Sequence, residues 1–181
     1  MNEFSTYEFV VAQKSEGKWR LARIGMIVLY VGFVLGALLT GISLNILPPL
    51  ALVPVLTWML VFFTWRYVAV EYEYSITSGE LIFSKIFGSR SRRTVLKVML
   101  RDAVRIAPLD DEAEAAKAAA FRPVREFWAV SSQNATDVYF MLFEYGKNKE
   151  HAVFYFEATQ KALQICRFYN PSATLVTKVS R

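Results

Sequence analysis

Cys166 and His151 are the one thiol and the one imidazole among 181 residues, which bounds the chemistry before any element is assigned. A structural zinc site takes four nitrogen or sulfur ligands and a disulfide takes two thiols, so Cys166 cannot pair within the chain. A Ser or Cys nucleophile ordinarily needs a base such as His within reach. His151 stands in a polar turn before a strand and is expected at the surface. The clustered acids Asp110, Asp111, Glu112 and Glu114 precede an Ala-rich run, where they complement a helix dipole and read as a solvated helix start. No GxSxG, GxxxxGK[ST] or GxGxxG occurs, so the hydrolase elbow and the phosphate-cradling loops are missing. No spacing sets two carboxylates up for hydrolysis. The expectation is a protein that is not an enzyme, with no cofactor and no metal.

The strong electrostatic feature is Lys85 to Arg105, with seven basic residues and one acid, Asp102; its net +6 exceeds the +5 of the whole chain. Lys85, Arg90, Arg92, Arg93 and Lys97 are the candidate contacts for an anionic ligand. Nucleic-acid binding would call for interleaved aromatics on an open surface. Phe83 and Phe87 instead fall in strand alternation and read as core, so no nucleic-acid partner is expected. Three readings remain for the basic residues: attraction to an anionic leaflet, a specific anionic lipid or protein ligand, and a solvated face. The elements around them decide.

The 42 positions from Ile24 to Trp65 hold no Lys, Arg, Asp, Glu or His, and they account for much of the 54% hydrophobic content and the mean hydropathy of +0.27. This block is too long for a signal-peptide core of roughly 7–15 residues. It can cross a bilayer twice, since about 20 helical residues span the hydrocarbon core. The break falls at Asn45-Ile46-Leu47-Pro48-Pro49, because adjacent prolines cannot continue a helix, whereas Pro54 fits a first turn. The spans are then about 24–44 and 50–70. Lys14, Lys18, Arg20 and Arg23 before the first span and Arg66 at the end of the second place both termini in the cytoplasm, with Trp19, Trp65 and Tyr67 at the same interface. Gly32 and Gly36, continued by Thr40, allow close helix approach. They serve either packing against the second span or self-association. A membrane-protein partner is the other association considered.

After the block the period changes to two. Val70, Tyr72, Tyr74 and Ile76 alternate with Glu71, Glu73 and Ser75 as a half-buried strand. Thr77-Ser78-Gly79 turns it into a second strand over 80–87. A third follows from Thr94 to Arg101 and a short fourth at 103–106. Helix composition over 110–120 predicts an insertion before three more strands, at 126–132, 138–145 and 152–158. Thr159 can cap a final helix over 160–169, stopped by Asn170-Pro171, with Cys166 as a small core residue. The boundaries read as a juxtamembrane segment 1–23, a hairpin 24–70, a domain 71–170 and a tail 171–181. The fold class is a two-helix membrane hairpin plus an α+β, mainly β, antiparallel sandwich or barrel capped by a C-terminal helix.

The stretch Tyr72-Glu73-Tyr74-Ser75-Ile76-Thr77-Ser78-Gly79-Glu80-Leu81, arriving from a membrane hairpin, resembles bacterial pleckstrin-homology-like (PH-like) membrane proteins. With the Arg90-Ser91-Arg92-Arg93 turn, the 102–108 segment and Phe156-Glu157-Ala158 before a helix, the whole chain is similar to a short uncharacterised family of that architecture. The resemblance implies a fold and a bacterial inner-membrane location. It brings no catalytic residues. PH-like domains often carry basic residues in an early hairpin loop, so the resemblance extends to headgroup contact. The resulting expectation is a non-catalytic binding or scaffolding module; the alternative is an accessory subunit of a membrane enzyme or transporter complex.

Overall fold

The computed structural model describes residues 6–14, 16–45, 48–132 and 134–180. The chain divides into two compact units: a helical one comprising 14–70 with 87–91, and a sheet unit comprising 1–13, 71–86 and 92–181.

In the helical unit α1 is Gly17–Ser43. A 3-10 turn, Pro48–Leu52, leads into α2, Val53–Thr64, and a second 3-10 turn, Trp65–Tyr67, follows it. Pro54 lies in the first turn of α2, where its missing N–H is not needed. Two segments are long and apolar enough to cross a membrane, Trp19–Ser43 and Leu50–Tyr67. Ile46 and Leu47 of the expected break lie outside the described residues. The hydroxyls of Thr57 and Thr64 donate to the carbonyls of Val53 and Leu60, so these polar groups are satisfied inside their own helix. The Tyr30 and Thr64 hydroxyls meet at 2.7 Å and join α1 to α2. Close approach comes at Gly41, where a Cβ would collide with the Leu50 side chain. Gly32 and Gly36 open onto free space, so the helix contact within the chain does not use the small-residue pair.

The sheet unit stacks two four-stranded sheets. The first has the order β1-β2-β3-β4, from β1 (Thr6–Ala12), β2 (Val70–Thr77), β3 (Glu80–Phe87) and β4 (Ser91–Met99). The expected juxtamembrane segment 1–23 needs correction: residues 6–12 are an edge strand, antiparallel to β2 from Thr6 opposite Thr77 to Ala12 opposite Glu71. Tyr7 and Phe9 pack on the core from this strand, an alternation too short to read as a strand before the partner is known. The helical hairpin is therefore inserted between two paired strands.

The second sheet has the order β5-β7-β8-β6, from β5 (Ala103–Pro108), β6 (Arg125–Ala129), β7 (Val138–Tyr145) and β8 (Glu150–Glu157). β7 is antiparallel to β5 and to β8, whereas β6 is parallel to β8. The expected antiparallel sandwich is present, with the parallel pair β6–β8 making this sheet mixed. The cause is α3, Glu112–Ala120, which carries the chain from one edge to the other, the kind of crossover a parallel arrangement requires. Ala118 of α3 packs with Ala107, Phe140, Leu142 and Val153, while Met141, Phe143, Phe154 and Phe156 join the central core on the other face. Residues 139–143 are buried throughout because both faces of β7 are covered.

The last helix, α4 (Gln160–Tyr169), buries Ala162, Leu163, Ile165 and Cys166, and Thr159 accepts from the Ala162 N–H as its cap. Gly79, at φ +83°, turns β2 into β3; a Cβ there would meet the Tyr169 ring at 2.8 Å, so the glycine admits the end of the helix. Asn170 ends α4, and its amide donates to the carbonyls of Ala103 at 2.9 Å and Leu100 at 3.0 Å. The expected tail 171–181 is also corrected. The Ile106 N–H donates to the Ala173 carbonyl and the Ile106 carbonyl accepts from the Leu175 N–H, Val176 and Val179 pack on the core, and Thr177 bonds the Tyr139 hydroxyl.

Candidate functional site

The five basic residues singled out by the sequence occupy different environments. Lys85 lies over the Tyr72 ring at 5.7 Å from its centroid. Arg92 forms an ion pair at 2.6 Å with Glu73, whose side chain is only 5% exposed. Alternation had placed Glu73 outward as a solvated residue; the guanidinium supplies the partner that lets it be buried. Arg93 is exposed and forms no ion pair among the described residues. Lys97 lines a cleft of about 250 Å³ whose lining also includes Glu80, Asp102 and Glu144.

Two more cations of the basic stretch are neutralised. Arg101 faces Asp102 at 3.7 Å. Arg105 holds Glu114 through two hydrogen bonds, 2.7 and 2.8 Å, and Lys117 adds a third at 2.7 Å. The Arg105 hydrogen bonds hold the Glu114 carboxyl down at about 2. The acid cluster is thus divided. Asp111 caps α3 by accepting from the N–H groups of Ala113 and Glu114, while Glu114 is buried as a latch onto β5. The seven positive charges of the stretch are therefore offset at three places, by Glu73, Asp102 and Glu114, leaving Lys85, Arg90, Arg93 and Lys97 outside any ion pair among the described residues.

Arg90 belongs to the helical unit. Gly88, at φ +58°, accommodates the reversal after β3, and a Cβ there would stand 2.9 Å from the Arg66 Cβ. Its N–H donates to the Ala69 carbonyl at 2.8 Å, which fixes the turn against the end of α2. From that turn Arg90 places its guanidinium 4.2 Å from the Phe62 ring centroid, a cation-π contact worth about 0.5–2 kcal/mol depending on exposure. Arg66 lies over Tyr67 at 5.5 Å. Together with Trp58, Val61 and Trp65 these residues line a groove of about 290 Å³. The sequence marked Arg66 and Arg90 separately, but they are 24 positions apart and nothing in the pattern joined them.

Burial raises the Cys166 thiol to about 12, so it stays protonated at neutral pH. His151 is exposed, stacked on Phe121, and its Nδ1 donates to the Phe121 carbonyl at 2.6 Å. Among the described residues no three His, Cys, Asp or Glu side chains converge as a metal set.

Two sheets about one aromatic core, closed by a C-terminal helix, make the sheet unit a PH-like domain. The chain belongs to the family described as Bacterial PH-like domain (DUF6106), whose model matches residues 3–175. That span takes in β1 and both apolar helices as well as the sheets. No match was found among curated proteins or among solved structures.

Proposed function

We propose that this chain is a two-span inner-membrane protein whose PH-like domain is a non-catalytic binding module held against the anionic cytoplasmic leaflet, with both termini in the cytoplasm. One observation carries the reading: the apolar hairpin interrupts a strand pair. Ala12 and Glu71 stand opposite each other in one sheet, so the chain that leaves β1 must return to the same side before β2 begins. Two spans accomplish this. The Lys and Arg flanks favour the cytoplasm for that side. A domain tethered in this way presents Lys85 and Arg93 within reach of acidic headgroups, each contributing on the order of 1 kcal/mol near the surface.

The test uses the full chain in lipid nanodiscs, with amide hydrogen exchange followed over residues 88–94. Exchange should be slower in discs containing phosphatidylglycerol than in phosphatidylcholine, and the difference should vanish at about 1 M salt, where the Debye length is roughly 3 Å. Equal exchange in both discs, together with stoichiometric co-purification in a larger membrane complex, would give the role to an accessory subunit instead.

A further inference from the structure

We infer that the groove formed by Trp58, Phe62, Trp65, Arg66, Gly88 and Arg90 seats one anionic glycerophospholipid, with its phosphate between the two guanidiniums and the start of one acyl chain along Trp58 and Phe62. The inference rests on the membrane reading above and deepens it, because it replaces a diffuse basic turn by a defined site at the end of the second span.

The residue types match the ligand segment by segment. Among the described residues Arg66 and Arg90 form no ion pair; each contacts an aromatic ring, which leaves guanidinium donors for a phosphate. Phosphate is the group that a planar guanidinium recognises best through paired N–H donors. Trp58 precedes Arg66 by eight residues, about 12 Å along a helix, so the groove runs from two cations to an apolar end as a lipid runs from headgroup to chain. Trp65 stands beside the cationic end, as tryptophans do at headgroup depth. The volume of about 290 Å³ lies at the lower end of small-ligand sites, enough for a headgroup and its first methylenes. Gly88 makes the arrangement attainable: at φ +58° and against the Arg66 stem, no side chain fits there without moving the turn that carries Arg90.

The experiment reads tryptophan fluorescence of the full chain in phosphatidylcholine nanodiscs doped with a brominated lipid. W19F and W128F substitutions leave Trp58 and Trp65 as the emitters. Brominated phosphatidylglycerol should quench more strongly than brominated phosphatidylcholine at equal mole fraction. Arg66→Gln with Arg90→Gln should weaken the anionic preference by roughly thirtyfold in apparent affinity. Phe62→Leu, which keeps the groove apolar and removes the ring under Arg90, should weaken it by a smaller factor. Inorganic phosphate should not compete, since the site also engages the acyl chain. Equal quenching by the two lipids, or a preference untouched by the double substitution, would overturn the groove. If residues 88–94 still exchange more slowly in anionic discs, only the groove fails; if that protection is absent as well, the leaflet reading fails with it.

Discussion

Leu29, Ile42, Trp58 and Phe63 of the helical unit stand exposed, whereas Tyr74, Phe83, Phe154 and Phe156 of the sheet unit have almost no exposed surface. The same side-chain chemistry is thus sorted in opposite directions within one chain. In the sheet unit burial follows from removing apolar area from water, at roughly 25 cal/mol per Å². In the helical unit the helix interiors hydrogen-bond along their own backbone, and Thr57 and Thr64 direct their hydroxyls back to their own turns. That economy of polar groups suits a hydrocarbon solvent. Four arginines show two modes of support. Arg92 and Arg105 of the sheet unit are bound to buried carboxylates, while Arg66 and Arg90 of the helical unit rest on aromatic rings.

The contrast can be broken most strongly at Asn170. Replacing it by Leu removes the amide N–H groups that donate to Leu100 and Ala103 and the Oδ1 that accepts from the Ala173 N–H, all at a buried position. The sheet unit should lose about 3 kcal/mol, seen as a lower midpoint of near-ultraviolet circular dichroism in the full chain. Far-ultraviolet signal from the apolar helices should persist through that transition. A single transition for both would show that the units unfold together.

A smaller effect tests the latch between α3 and β5. Glu114→Gln should cost about 2 kcal/mol, since it leaves Arg105 facing a neutral partner at a buried position. The pH dependence carries a sign. The Glu114 carboxyl is held at about 2 in the fold against an ordinary 4.5, so the folded state favours the ionised form. Its stabilisation is complete above about pH 5 and is lost as pH falls toward 2. The Gln variant should show a flatter stability profile over that window in acid titrations of unfolding.

The smallest effects separate two adjacent arginines. Arg92→Gln leaves Glu73 buried without its partner and should cost about 1–2 kcal/mol. Arg93→Gln should change stability by less than about 0.5 kcal/mol, as expected of an exposed residue without a partner, and should reduce the anionic-disc protection instead. Equal destabilisation by both would mean that Arg93 has a structural partner in the folded chain.

Much of this molecule was readable from local pattern. The strand at 138–145 and the helix at 160–169 have the bounds expected from the sequence, the latter through its cap and the Asn-Pro stop, and the charge-free block forms most of both apolar helices. Where the reading stopped short, the missing information was long-range. Residues 6–12 become a strand because β2 offers them a partner more than fifty positions away. Residues 171–180 are held by Ile106 and Tyr139 rather than by any periodicity of their own.

The sequence by itself determined which segments are apolar, which alternate and where cations concentrate, because these depend on neighbouring residues and on transfer from water. It could not determine which cations remain available. Lys85 to Arg105 is one dense basic run in the chain, yet Glu73 and Glu114 neutralise two of its members from outside that run, and Arg90 lies with Arg66 in the helical unit rather than with the sheets. Charge pairing acts through space over a few ångströms, so only the tertiary structure decided which arginines serve the fold and which are left for a ligand.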